Sequence, residues 1–225
     1  MVQRVHRSPL TPAEKVLLEW LARAMPRWTT PDQLTALGVL GAAITFAGYL
    51  FSAREPAFLW LANLGLLVHW FGDSLDGTLA RVRGIERPKY GFVLDQSVDV
   101  AGDLLIMAGL GLSPYARLDT ALLALIGYHA LAIQSLAWCA VKGEHRISSA
   151  LAGPTELRLG LVALNIALWA IGADRGFVGF AGFSWCDALL LAAFAIMAVQ
   201  YAAGVARDTR ALRGEQTGTG PDQRS

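Results

Sequence analysis

Four aspartates, Asp73, Asp76, Asp95 and Asp99, lie in the stretch DSLDGTLARVRGIERPKYGFVLDQSVD (73–99), between two long apolar runs. Asp73, Asp76, Gly77, Ala80 and Arg81 fall at helix offsets 0, +3, +4, +7 and +8, which is one face of one helix. Gly91, Asp95 and Asp99 fall at offsets 0, +4 and +8 and make a second such face. A polar link holding Gly84 and Pro88 joins them, so the two faces can meet as an antiparallel helix pair. A carboxylate near hydrocarbon is costly unless it is paired, hydrated or bound to a cation. Hard oxygen ligands on facing helices suit Mg²⁺, Mn²⁺ or Ca²⁺ rather than a soft metal. The bland alternative is a set of acids that merely pair with Arg81 and Arg83.

The elements that must carry these faces are helices in a membrane. A mean hydropathy of +0.42 with only 16% charged residues in 225 is too apolar for a soluble domain and fits one polytopic membrane domain. A net charge of +1 implies no polyanion partner, and so no nucleic acid. Cys139 and Cys186 have no CxxC spacing and read as buried free thiols. Six apolar runs, near 34–52, 57–80, 91–112, 119–141, 157–174 and 186–206, can each span a bilayer. Ahead of them, 12–30 predicts an amphipathic helix with Val16, Leu17, Trp20, Leu21 and Ala24 on one side and Glu14, Lys15, Glu19 and Arg23 on the other. It is too short and charged to span and is expected to lie in the interface; its interrupted apolar stretch does not read as a signal peptide. Residues 1–11 are expected to be flexible and 207–225 to form a disordered tail, with the membrane domain at 31–206.

If both termini are cytoplasmic, sixteen of the nineteen Lys and Arg residues fall on that side, with only Arg54, Arg117 and Arg175 opposite. That positive-inside bias puts the four aspartates at the cytoplasmic face.

The pattern D-x2-D-G-x2-A-R-x9-G-x3-D-x3-D resembles the class I signature of the CDP-alcohol phosphotransferases, also called CDP-alcohol phosphatidyltransferases. All its defining positions are present: Asp73, Asp76, Gly77, Ala80, Arg81, Gly91, Asp95 and Asp99. The resemblance implies an all-α integral membrane enzyme of six transmembrane helices preceded by an interfacial helix, acting as a homodimer. It implies metal-dependent transfer of a phosphatidyl group from a CDP-linked lipid such as CDP-diacylglycerol to the hydroxyl of a small alcohol, releasing CMP, at a bacterial inner membrane. Asp73, Asp76 and Asp95 would then be ligands of Mg²⁺ or Mn²⁺, two ions in all, and Asp99 a ligand, the general base, or both. Gly77, Ala80 and Gly91 would let the nucleotide approach the backbone, although small residues in membranes also serve close helix packing. Arg81 is a candidate for a phosphate oxygen or for an ion pair with the acids. Pro31-Asp32-Gln33-Leu34-Thr35 resembles the Pro-Asn-x-Leu-Thr that often opens the family's first span. Asp32 departs from the usual Asn, though either can cap a helix, and Thr35 is a candidate nucleotide contact.

Lys142, Arg146, Arg158 and Arg207 resemble the cations that bind the acceptor's phosphate in family members using inositol phosphate or glycerol phosphate. Arg158 is the first candidate, because a cation in a helix's first turn opposes the dipole and is free to bind an anion. His69 and Asp103 extend the acidic faces inward by one turn, either to orient the ligands or to pair with each other or with Asn63. His129 reads as a hydrogen-bonded core residue. Two other functions compete: a CDP-choline or CDP-ethanolamine phosphotransferase acting on diacylglycerol, and a non-catalytic cation-binding or transport protein. A transporter predicts acids along a transmembrane path and repeated halves, neither of which is seen here.

Overall fold

Thr30 shows how the apolar runs are delimited as helices. Its hydroxyl accepts from the Gln33 N–H at 3.2 Å, and Gln33 Oε1 accepts from the Thr30 N–H at 2.8 Å. This reciprocal cap satisfies two donors that a helix start leaves orphaned, and Pro31 in the first turn has no N–H to satisfy. Thr30 therefore makes the cap expected of Asp32, and Asp32 pairs with Arg87 instead.

The computed structural model describes residues 4–5, 11–143, 145–146, 153–171 and 182–218. Seven helices run in order: α1 (Thr11–Ala24), α2 (Pro31–Phe51), α3 (Phe58–Arg83), α4 (Pro88–Gly111), α5 (Leu118–Lys142), α6 (Pro154–Ile171) and α7 (Trp185–Gly218). A two-residue strand, β1 (Arg4–Val5), pairs in parallel with β2 (His145–Arg146). The helical class expected is observed among the described residues, and its long apolar helices are consistent with a membrane protein. Among the described residues four helices, α2, α5, α6 and α7, are long and apolar enough to cross a membrane. The other two of the expected six, α3 and α4, are long enough at 26 and 24 residues but carry the acids and so fall short on apolarity.

The most intimate contact is α2 against α3, made by small residues. A Cβ added at Gly41 would stand 2.3 Å from the His69 nitrogen, one at Gly65 2.4 Å from Thr45 N, and one at Gly72 2.4 Å from Gly38 N. The two backbones thus touch over most of their length, the packing that drives association where lipid offers no hydrophobic gain. Thr45 adds bonds to the Gly41 carbonyl at 3.0 Å and the Ala62 carbonyl at 3.4 Å. A buried polar stitch crosses three helices: Tyr49 Oη donates to Asn165 Oδ1 at 2.9 Å, and Asn165 Nδ2 donates to Asn63 Oδ1 at 2.8 Å. Asn63 is therefore committed to α6 and does not pair with His69 or Asp103.

Helix α1 packs on α3 through Leu18 and Ala22, which meet Leu75 and Leu79. The apolar side read from the sequence is mostly not the side that packs on α3. Val16, Leu17 and Trp20 point away from the protein, with Trp20 64% exposed. Glu14, expected on the outer polar side, turns inward and accepts from Trp70 Nε1 and Thr155 Oγ1, both at 2.8 Å. The helix thus has one apolar stripe for α3 and a second left exposed, as an interfacial helix requires. Arg83 fastens its end by donating to the carbonyls of Met25, Pro26 and Thr29.

Helix α7 continues to Gly218, through the first part of the stretch 207–225 expected to be disordered. One reason is Asp208, which accepts from Gln134 of α5 at 3.0 Å and holds that turn against the bundle. At the other end of α7, Asp187 is buried and accepts from Arg117 N, Thr120 Oγ1 and Ser184 N, joining the starts of α5 and α7. Most of the flexible N-terminus expected at 1–11 lies outside the described residues. Cys139 and Cys186 are free thiols.

Candidate active site

Helix α3 ends at Gly84, whose left-handed backbone (φ 65°) suits a residue without a Cβ, and Pro88 opens α4 four residues later. The short link returns the chain so that the predicted faces of α3 and α4 meet. One carboxylate oxygen from each of Asp73, Asp95 and Asp99 lies within 4.8 Å of the other two. Three carboxylate oxygens this close can converge on one cation, and the all-oxygen donor set fits a hard divalent ion.

Asp76 is not brought into this trio. Its Oδ2 accepts from Thr35 Oγ1 at 2.5 Å and its Oδ1 from the Gly77 N–H. Thr35 also donates to the Pro31 carbonyl at 3.2 Å, so its side chain is held in place by the first turn of α2. Thr35, a candidate for the nucleotide, instead touches an acid of the signature.

The small residues separate into two kinds. Gly38, Gly41, Gly65 and Gly72 are consumed by the α2–α3 contact. Gly91 has no atom of the described residues within 4 Å of an added Cβ, and Gly77 has only the Arg81 guanidinium at 3.4 Å. Among the described residues neither serves helix packing; both leave room beside the acids. Ala80 lies one turn further along the same face, half-buried. Arg81 folds back along α3 and donates to Thr78 Oγ1 at 2.9 Å rather than pairing with the acids.

Of the four acceptor candidates, Arg158 alone is seen at the cluster. Its guanidinium donates to Asp73 Oδ2 at 2.6 Å and approaches His69 Nε2 at 3.2 Å. Lys142 stands over the Trp138 ring at 5.9 Å, and Arg207 pairs with its neighbour Asp208 at 3.1 Å. The side chain of Arg146 lies outside the described residues. Asp103 comes within 4.0 Å of His129 Nε2, which makes no hydrogen bond among the described residues, so the hydrogen bond expected for His129 is not the contact it has. Sequence reasoning missed the Glu14, Arg83 and Asp32 contacts. Each spans more than fifty residues with no periodicity to announce it. The His69–Arg158 contact spans 89 residues, and only His69's position one turn before Asp73 hinted at it.

Comparison with known proteins covers most of the chain. Residues 28–206 match the CDP-alcohol phosphatidyltransferase family. An archaetidylinositol phosphate synthase of Pyrococcus horikoshii is 36% identical over 121 residues, 53% of this chain and 61% of that protein. A bifunctional IPC transferase and DIPP synthase of Rubrobacter xylanophilus is 35% identical over 155 residues, 64% of this chain and 32% of that protein. A cholinephosphotransferase 1 of Xenopus laevis is 29% identical over 120 residues, 51% of this chain and 29% of that protein. The chain thus spans from about three-fifths to less than a third of these relatives' own lengths.

Proposed function

The chain belongs to the CDP-alcohol phosphatidyltransferase family, and on that footing we propose that it transfers a phosphatidyl-type group from a CDP-linked lipid to the hydroxyl of a small phosphorylated alcohol, releasing CMP. The observation that carries this is the meeting of Asp73, Asp95 and Asp99 beside the open surfaces of Gly77 and Gly91.

In this reading Asp73, Asp95 and Asp99 hold Mg²⁺ or Mn²⁺, with Asp76 joining them for a second ion. When bound there, the cations supply electrostatic stabilisation of the pyrophosphate charge. The acceptor oxygen forms a bond to the lipid-side phosphorus, the bridging phosphoanhydride bond breaks, and CMP leaves with the electron pair. Asp99 takes the hydroxyl proton. Thr35 keeps the Asp76 carboxylate turned toward the α3–α4 faces by filling one of its acceptor sites. Gly77, Ala80 and Gly91 give the cytidine diphosphate access to the helix surface, and Arg81 swings from Thr78 to a phosphate oxygen. Arg158 meets the phosphate of the acceptor, which favours a polyol phosphate; the Pyrococcus relative, an archaetidylinositol phosphate synthase, agrees in kind. Lys142, Arg146 and Arg207 line the approach.

The protein is multi-pass, with α3 and α4 crossing the bilayer alongside the four apolar helices, both termini and the site on the cytoplasmic side, and two copies forming a dimer. The lysine and arginine distribution supports that orientation.

The test is CMP release by purified protein in detergent with CDP-diacylglycerol, Mg²⁺ and each candidate acceptor in turn, with Asp99→Asn as control. Release with a polyol phosphate, absent in the variant, is expected. Release only from CDP-choline with diacylglycerol would select the reversed pairing of donor and acceptor. No release with any pair, while Mn²⁺ still binds, would leave a cation-binding protein without this activity.

A further inference from the structure

We propose that His69 is a positioning residue that fixes where the Arg158 guanidinium stands, and thereby how tightly the site holds the anionic group of its acceptor. This rests on Arg158 being the acceptor's cation, as read above.

His69 is 1% exposed and bonded at both ring nitrogens. Nδ1 lies 3.0 Å from the Gly38 carbonyl, which can only accept, so Nδ1 carries the proton. Nε2 lies 3.2 Å from Arg158 Nη2, which can only donate, so Nε2 presents its lone pair. One neutral tautomer satisfies both contacts, and a protonated ring would satisfy only the first. The ring has nowhere else to go. The backbone at His69 touches Gly41, and a Cβ at Gly102 would stand 3.1 Å from its Cε1. His69 is thus a fixed acceptor built into the contact of α2, α3 and α4.

Arg158 has two anchors of different character. Asp73 holds it by charge at 2.6 Å, but Asp73 is also a member of the acid trio. A divalent ion taking Asp73 competes with Arg158 for that carboxylate, and its positive charge repels the guanidinium. The neutral His69 contact does not face that competition. It is what keeps Arg158 at the cluster, donors turned outward, when an anionic acceptor arrives. Asp103, the other acid within electrostatic reach of Arg158, is one turn deeper and bears on His129.

The test compares Arg158→Ala, His69→Asn and His69→Gln. Asparagine places its amide where Nδ1 stands and keeps the Gly38 bond but not the Arg158 contact. Glutamine reaches the position of Nε2. His69→Asn is expected to raise the acceptor KM about tenfold, the scale of one hydrogen bond to a charged group, with donor KM and melting temperature nearly unchanged. His69→Gln is expected to restore most of the loss, and His69→Asn on an Arg158→Ala background to add nothing. Protection of the Mg²⁺-loaded protein against melting by inorganic phosphate should need about tenfold more phosphate in His69→Asn, a readout independent of turnover.

If Arg158→Ala leaves the acceptor KM unchanged, the acceptor reading itself fails and this inference with it. If Arg158→Ala raises it but His69→Asn does not, or shifts donor and acceptor KM together, the role of His69 is overturned alone. Should His69→Asn not fold, Arg158→Lys replaces it: lysine keeps the charge but cannot span both anchors, and an unchanged acceptor KM there would equally overturn the proposal.

Discussion

Thr35 on α2 donates to Asp76 on α3 at 2.5 Å across 41 residues of chain, so an acid of the signature is oriented by a helix that carries none of it. Thr35→Val keeps the shape and removes the hydroxyl. Activity is expected to fall between about tenfold and a hundredfold, the usual cost of losing a partner behind a metal-site ligand. Thr35→Ser should recover most of it. A valine variant with full activity would show that Asp76 needs no such support.

The two kinds of glycine give opposite expectations. Alanine is the better helix former by about 1 kcal/mol, so Gly91→Ala, with open space around it, should melt no lower than the parent while donor KM rises. Gly41→Ala drives a Cβ to 2.3 Å from the backbone of His69 and should separate α2 from α3, lowering the melting temperature in detergent sharply or abolishing folding. Equal melting temperatures for the two variants would contradict the packing described.

Mn²⁺ titration by calorimetry of chelator-stripped protein should rank the acids. Asp95→Asn and Asp99→Asn remove members of the trio and are expected to weaken the first binding event by at least about tenfold. Asp76→Asn, outside the trio, should weaken it less. The reverse order would move the first ion to the Asp76 side of the site.

Docking of α1 depends on a few long-range bonds. Glu14→Ala breaks contacts to both Trp70 and Thr155, and Arg83→Gln weakens the grip on four carbonyls, those of Met25, Pro26, Arg27 and Thr29. Each is expected to cost about 1–3 kcal/mol of local stability. Limited proteolysis should then cut near Pro26 in the variants before the parent. Equal cutting rates would mean that Leu18 and Ala22 hold the helix by themselves.

What the sequence made legible was whatever repeats along a helix. The six apolar runs became α2 to α7 within a few residues at most boundaries, and the offsets of Asp73, Asp95 and Asp99 brought them to one point. Periodicity says which residues share a face, but not which face meets which neighbour. The sequence marked the Val16, Leu17 and Trp20 side of α1 as apolar, whereas the Leu18 and Ala22 side is turned inward only by the position of Leu75 and Leu79. Asp32 and Thr30 both have capping side chains, and the choice turned on Gln33 and on Arg87, 55 residues away. Of the four basic candidates, Arg158 stood out by its place in the first turn of a helix, but that its partner is Asp73 had no local sign, because the contact is made by tertiary packing. The helical extent of α7 beyond 206 was hidden for the same reason, its Asp208 being held by Gln134.

The order of the chain gives the Arg158–Asp73 pair a consequence in time. All four aspartates have been synthesised by residue 99, whereas their cation follows 59 residues after Asp99, at the start of α6. Through that interval α3 and α4 are acidic helices without Arg158, poorly suited to hydrocarbon by themselves. If α3 and α4 cross the bilayer as proposed, their stable insertion should wait on α6 or on a divalent ion from solution, and biogenesis should then be sensitive to truncation before Arg158 and to magnesium supply in a way that the finished fold is not.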